Sequence, residues 1–105
     1  DVLDTALSLQ IVKAFQVLEV SLGRLLQSLK KKMTSTQDFM CAGRTHGMHA
    51  EPTTMGYKLA GFAAEFVRHR ERLQQAKKQM AVGKMSGAVG TYSFLSRDFE
   101  SAACG

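Results

Sequence analysis

The longest regular pattern in the chain covers residues 1–32, which read DVLDTALSLQIVKAFQVLEVSLGRLLQSLKKK. Large apolar residues recur there in steps of three or four, the spacing that places side chains on one face of an α-helix. These residues are Leu3, Leu7, Ile11, Phe15, Leu18, Leu22, Leu25 and Leu29. Further apolar residues widen the face, which is typical of a helix inside a bundle. The pattern therefore predicts one helix over residues 1–32.

The middle of the chain predicts a loop followed by a second long helix. Residues 33–52 mix polar residues with glycines and a proline and show no strand-like alternation, so we expect a shaped loop. The second helix begins near Thr53 or Thr54, where a threonine can act as the N-cap, and its apolar stripe runs to about Val82.

The last part of the chain predicts a glycine-rich loop over residues 83–91 and a helix that begins after Ser96. The predicted fold class is therefore all-α, in the order helix, loop, helix, glycine-rich loop, helix. A helix over residues 1–32 measures about 48 Å, whereas a compact domain of ~100 residues has a radius of gyration of only ~13 Å. Because two such helices cannot bury their broad apolar faces on each other alone, we expect residues 1–105 to be part of the helical bundle of a longer chain.

Composition argues against several classes of partner. The formal net charge is +5, but no basic stripe with interleaved aromatic residues indicates nucleic acid. No apolar run reaches about 18 residues, so we expect no membrane-spanning helix. Cys41 and Cys104 lack metal-site spacing and predict reduced thiols in a cytoplasmic protein. An anionic small-molecule substrate is compatible with the charge.

The residues most capable of chemistry lie in the stretch RTHGMH, from Arg44 to His49. An imidazole can donate or accept a proton near neutral pH, so His46 is a candidate general acid or base, and Arg44 and Thr45 could bind an anionic group. Simpler interpretations stay open, since a loop histidine is more often structural and Arg44 could pair with Glu51. A metal site of His46 and His49 is disfavoured because no third ligand lies nearby in the sequence.

The glycine-rich stretch over residues 83–91 is similar in composition to a phosphate-binding loop but does not match the Walker motif. Lys84 and Ser86 could contact an anion there. A tight connection between helices, in which glycines adopt unusual φ values, is an equally good interpretation.

Three blocks of the sequence resemble one enzyme family. Residues 43–56, GRTHGMHAEPTTMG, are similar to the Arg-Thr-His block of the adenylosuccinate lyase family, a branch of the fumarase/aspartase superfamily. Residues 1–6 resemble the end of its Thr-Ser-Ser-Asp-Val-x-Asp-Thr segment, and residues 83–92 resemble its Gly-Lys-x-Ser-Gly-Ala-Val-Gly-Thr-Tyr segment. The blocks follow the family's order across essentially the whole chain. Met48 departs from the glutamine that many members carry.

The resemblance implies an enzyme without metal or organic cofactor. Members cleave adenylosuccinate to AMP and fumarate, and they also release fumarate from the succinylated aminoimidazole carboxamide ribotide of purine biosynthesis. In this anti β-elimination, a base removes a proton β to the departing nitrogen and an acid protonates that nitrogen. The resemblance assigns the acid to His46 and substrate contact to Thr45, with Arg44, Lys84 and Ser86 as further expected substrate-binding residues.

The resemblance also implies that this chain carries only one contribution to an active site. The family's serine base lies on a mobile loop whose motif is absent here, and its sites are assembled from three subunits of a homotetramer around a central helical bundle. We therefore expect residues 1–105 to be inactive alone. Two alternatives stay open: another lyase or cycloisomerase of the superfamily, and a non-catalytic helical oligomerisation module.

Overall fold

The computed structural model describes all residues from Asp1 to Gly105 and contains three helices and one antiparallel strand pair. In chain order these are α1 (Val2–Ser35), β1 (Met40–Thr45), β2 (Met48–Thr54), α2 (Met55–Met80) and α3 (Arg97–Cys104). Helix dominates, as the all-α prediction requires. By its internal contacts the chain divides into two compact units, Asp1–Leu18 with Leu73–Gly105, and Glu19–Arg72. Helices α1 and α2 contribute to both units.

Strands β1 and β2 form a hairpin, so the expectation of a strand-free loop over residues 33–52 was wrong. A turn of two residues joins the strands, and both residues have positive φ, +52° at His46 and +74° at Gly47. Positive φ at both central positions is the requirement of a type I′ turn, whose twist matches that of the strands it joins. The strands lack apolar alternation because both of their faces are largely exposed.

A bulge interrupts the register of the hairpin near its turn. Ala42 pairs with Pro52 and Arg44 pairs with His49, so β2 has one residue more than β1 in this interval. A Cβ at Gly43 would lie 2.5 Å from a backbone oxygen of β2, so the bulge requires a glycine on the facing strand. The bulge and the turn together fix the position of the residues between them.

The start of α2 packs directly against the turn that follows α1. Thr54 Oγ1 accepts a hydrogen bond from the Tyr57 N–H at 3.2 Å, which confirms a threonine N-cap. The Gly56 N–H donates to the Thr36 carbonyl at 2.9 Å. A Cβ at Gly56 would lie 2.6 Å from the Cα of Gln37, so the two backbones approach as closely as a glycine allows.

The other helix ends differ little from prediction. Helix α1 ends at Ser35 rather than at Lys32, and α2 ends at Met80 rather than near Val82. The predicted start of the last helix is confirmed, because the Ser96 side chain accepts a hydrogen bond from the N–H three residues further on and caps α3.

The apolar face of α1 is only partly covered within this chain, since Ile11, Phe15, Leu22 and Leu29 are half-buried while the other four residues of the stripe are exposed. No apolar side chain is buried anywhere, and Leu3 and Leu9 are 84% and 59% exposed. By length and composition α1 could cross a membrane, since an 18-residue window reaches a mean hydropathy of 1.2, although polar residues interrupt every apolar run in it. The core helix of a soluble bundle passes the same test. These residues therefore leave much of the apolar face of α1 in contact with water.

We expect Gly56→Ala to lower the thermal stability of the full-length protein. The added methyl group would meet the Met33 carbonyl oxygen at 2.8 Å and the Gln37 Cα at 2.6 Å, and backbone atoms do not move cheaply. The expected cost is about 1–3 kcal/mol, which is typical of overpacking.

The matched control is Gly61→Ala in the same helix, where nothing lies within 4 Å of the added methyl group. We expect this variant to be stabilised by up to about 1 kcal/mol, because alanine is the better helix former. Thermal denaturation followed by circular dichroism measures both variants, and equal melting temperatures would contradict the close packing at Gly56.

Candidate functional site

The predicted general acid, His46, lies at the tip of the hairpin. Thr45 Oγ1 lies 2.9 Å from His46 Nδ1, which is hydrogen-bond distance. The second ring nitrogen, Nε2, has no protein partner. Arg44, Thr45 and His46 are all exposed. The hairpin therefore presents an imidazole whose inner nitrogen is held and whose outer nitrogen can face a ligand.

The contact with Thr45 suits a proton donor. When both ring nitrogens carry a proton, Nδ1–H donates to the Thr45 hydroxyl and Nε2–H is available for transfer. The backbone of His46 has φ +52°, in the left-handed region that residues other than glycine rarely adopt. Such conformations persist where the surrounding structure imposes them, and here the imposing elements are the type I′ turn and the strand pairing. The hairpin thus fixes both the position and the ring orientation of His46.

The strand register distributes the neighbouring side chains over two faces of the hairpin. Thr45 pairs with Met48 next to the turn, and Arg44 pairs with His49 one step further. Because successive side chains along a strand point to opposite faces, Arg44 and His49 share one face while Thr45 and Met48 share the other. No ion pair joins Arg44 to Glu51, so that simpler interpretation of Arg44 is not realised.

Lys84 and Ser86, the other predicted substrate-binding residues, belong to the compact unit that contains α3. Thr5 Oγ1 accepts a hydrogen bond from the Lys84 N–H at 3.0 Å and donates to the Lys84 carbonyl at 3.1 Å. Lys84 Nζ lies 3.2 Å from Asp1 Oδ1 and donates to the Gly87 carbonyl at 3.2 Å. Ser86 is only 6% exposed. Lys84 therefore holds this segment to the start of α1 while Ser86 is buried, and the contact of both residues with substrate stays a prediction.

The carboxylate of Glu100 on α3 accepts two further hydrogen bonds from the same part of the chain. Its Oε1 accepts a hydrogen bond from the Met85 N–H at 2.9 Å, and its Oε2 accepts one from the Tyr92 hydroxyl. These two bonds, the tyrosine first, lower the pKa of Glu100, and the same carboxylate raises the pKa of Tyr92. The Arg97 guanidinium lies 5.5 Å from the centre of the Tyr92 ring.

The sequence does not reveal the role of Glu100, because a contact over 15 residues leaves no periodic signal. Its place in the first turn of a helix indicates only a favourable interaction with the helix dipole. No pattern in the sequence singles out Thr5 either, although it is buried at 7% exposure and its hydroxyl joins α1 to Lys84 by a hydrogen bond.

The predicted site residues thus form two sets. Arg44, Thr45 and His46 lie together on the hairpin, and Lys84 and Ser86 lie together in residues 83–92, which we call the glycine-rich segment. Its Gly87 and Gly90 have φ values of +88° and +77°, as expected for a tight connection. Both cysteines are free thiols, as predicted.

Comparison with known proteins assigns the chain a family. Residues 1–105 match the protein family described as lyase. The chain is 45% identical over 104 residues to an adenylosuccinate lyase of a Synechocystis species, covering 99% of this chain and 24% of that protein. It is 47% identical over 98 residues to an adenylosuccinate lyase of Archaeoglobus fulgidus, covering 93% of this chain and 22% of that protein. The chain therefore spans about a quarter of the length of the curated relatives it matches.

Two solved structures match most of the chain. A 3-carboxy-cis,cis-muconate lactonizing enzyme from Pseudomonas putida matches with a TM-score of 0.84 and 36% identity, over 92% of this chain and 22% of that chain. A fumarate lyase:delta crystallin from Brucella melitensis, bound to cobalt, matches with a TM-score of 0.90 and 25% identity, over 98% of this chain and 23% of that chain. The all-α fold class of the fumarase/aspartase type is thereby confirmed.

We expect the bonds of Glu100 to make the stability of the full-length protein depend on pH. The pKa of Glu100 is lowered on folding from the ordinary 4.5, so its contribution is fully present above that value and is lost as pH falls through the folded pKa. The pKa of Tyr92 is raised from 10.0, so its contribution is present below that value and is lost as pH rises through the folded pKa.

The measurement compares melting temperatures of Glu100→Gln and the parent protein from acidic to neutral pH. The difference should be largest near neutral pH and should shrink as the parent's carboxylate becomes protonated. Asp98→Asn, which removes an exposed carboxylate from the same helix turn, is the control. A difference that stays constant at every pH would contradict the role given to the carboxylate.

Proposed function

Because this chain belongs to the lyase family, we propose that it supplies the general acid His46 to an enzyme that cleaves adenylosuccinate to AMP and fumarate. The observation that carries this proposal is the hairpin tip, where Thr45 holds Nδ1 of His46 at 2.9 Å and Nε2 is without a partner. The identity of 45% and 47% to two adenylosuccinate lyases supports the choice of substrate. The succinylated aminoimidazole carboxamide ribotide is the second proposed substrate, because it carries the same succinyl group on its departing nitrogen.

The proposed reaction is an anti β-elimination that balances without a cofactor. A base from outside these residues removes the proton on the carbon β to the departing nitrogen, and the electron pair is delocalised into the adjoining carboxylate. The double bond of fumarate forms as the carbon–nitrogen bond breaks. Nε2–H of His46 delivers its proton to the departing nitrogen, while Thr45 keeps the ring in the orientation that this transfer needs.

We propose further that residues 1–105 form part of the central helical bundle of a cytoplasmic homotetramer with shared active sites. The exposed part of the apolar face of α1 supports an assembly of several helices. In this assembly Arg44, Lys84 and Ser86 contact anionic groups of the substrate. Neither nucleic acid, membrane, metal nor organic cofactor takes part in the proposed reaction.

A cycloisomerase is the second candidate, favoured by the likeness to the muconate lactonizing enzyme at a TM-score of 0.84. The two functions differ in the bond that changes, since the lyase releases fumarate and a lactonizing enzyme closes a ring. Assays of the full-length protein with adenylosuccinate and with 3-carboxy-cis,cis-muconate decide between them.

We expect His46→Gln in the full-length protein to lower kcat for adenylosuccinate by about 10²–10⁴-fold, because the departing nitrogen then loses its proton donor. Fumarate release, followed by absorbance, measures the effect. The control is His69→Gln, which removes an exposed imidazole that lies 3.4 Å from Glu65 on α2, and it should keep the parent's activity. Full activity of His46→Gln would contradict the role of His46 as the general acid, and a parent protein that releases no fumarate would favour the non-catalytic oligomerisation module.

We expect mixed tetramers to recover activity that the separate variants lack. One variant carries His46→Ala and the other lacks the catalytic base, so a site shared between subunits can still receive both intact groups in a mixed assembly. The two proteins are denatured together and renatured, and fumarate release is compared with that of each variant treated alone. Absence of recovery, with native mass spectrometry confirming mixed tetramers, would contradict shared sites.

A further inference from the structure

We propose that Arg44 and His49 form an anion subsite on one face of the hairpin, which binds the carboxylate or phosphate oxygens of the substrate. This subsite rests on the proposed function and extends it to His49, which the proposed reaction does not use. The strand register places the two residues directly opposite each other, next to the turn that carries His46. Five positions separate them in the sequence, so only the hairpin brings them together.

The geometry of a hairpin with a two-residue turn brings these side chains especially close. The pair that flanks the turn, Thr45 and Met48, is of the hydrogen-bonded type, and types alternate along an antiparallel ladder. Arg44 and His49 are therefore a non-hydrogen-bonded pair, in which the Cα atoms are about 4.5 Å apart and the side chains are closest. One oxyanion can reach both groups.

The guanidinium charge of Arg44 is not neutralised by the protein. Neither Arg44 nor His49 makes an ion pair, and both side chains are exposed. A bound anion would therefore give Arg44 a partner of opposite charge that the chain itself does not supply.

The pair is also held rigidly enough to recognise a ligand. The type I′ turn lies on one side of it and the bulge between Ala42 and Arg44 lies on the other. Bulges near active sites commonly re-aim a side chain, and here the bulged stretch of β2 directly follows His49. The guanidinium can offer two parallel N–H donors to a carboxylate or phosphate, and the imidazole can add one more.

Adenylosuccinate offers two carboxylates and one phosphate, and kinetics on the full-length enzyme distinguish these sources. We expect Arg44→Gln and His49→Gln each to raise KM for adenylosuccinate about tenfold with little change in kcat, as for loss of a charged hydrogen bond that binds ground state and transition state equally. Arg70→Gln and His69→Gln on α2 are the matched controls and should leave both parameters unchanged. Circular dichroism and elution volume confirm that each variant folds and assembles as the parent does.

A second set of kinetic measurements uses succinyladenosine, the nucleoside that lacks the phosphate, as the substrate. If the pair binds the phosphate, the parent and both variants will share one KM for this nucleoside. If the pair binds a carboxylate, the rise in KM will persist. An unchanged KM of both variants for both substrates would overturn the subsite.

Calorimetric titration with fumarate and with inorganic phosphate separates this proposal from the proposed function. A parent protein that cleaves no adenylosuccinate refutes the function. Binding of either anion to the parent that is weakened about tenfold in Arg44→Gln and in His49→Gln would still support the subsite. Equal binding of both anions by the parent and the variants, or no binding at all, would refute it.

Discussion

A helix with a broad apolar stripe is stable in water only where another apolar surface covers the stripe, and the 34-residue helix α1 finds only part of that cover within this chain. Each Å² of apolar surface removed from water contributes about 25 cal/mol, and in α1 only the polar Thr5 is buried. Much of the packing free energy that the stripe could contribute is therefore not gained within this chain. The hairpin follows α1 and the glycine-rich segment contacts it through Thr5, so α1 is the element to which both are attached.

Within the chain, local order comes from satisfied polar groups rather than from an apolar core. A segment without regular structure still has to satisfy its backbone N–H and C=O groups wherever water is excluded. Thr5 satisfies both backbone groups of Lys84 with one hydroxyl, and Glu100 satisfies the N–H of Met85 with one carboxylate oxygen. These ties shape the glycine-rich segment without burying a single apolar side chain.

The sequence predicts the helices well because their signal is periodic and local. The Thr54 and Ser96 caps mark starts that the structure reproduces, and apolar spacing marks the length of α1 to within three residues. The hairpin is different, because its two faces are exposed and its conformation depends on the left-handed backbone of His46 and Gly47. Histidine is an uncommon residue for such a turn, so the usual Asn-Gly or Asp-Gly signal is absent.

The candidate site likewise has one part that the sequence predicts and another that it does not. The sequence and its resemblance single out Arg44, Thr45 and His46 because they are adjacent, and the structure does bring them together on one hairpin. The pairing of Arg44 with His49 and the contacts of Glu100 depend on register and on contacts over long sequence separations, neither of which a periodic pattern encodes.

An exposed hairpin tip gives His46 a defined position but not the water-free surroundings in which proton transfer and anion binding are strongest. The turn and the strand pairing define the hairpin locally, so cover is what its tip lacks. Helix α1 lacks part of its cover as well, for a different reason, since its exposed surface is apolar. Further polypeptide packed on both surfaces would meet both needs through one physical effect, the exclusion of water, which stabilises apolar contacts on α1 and strengthens polar contacts at His46.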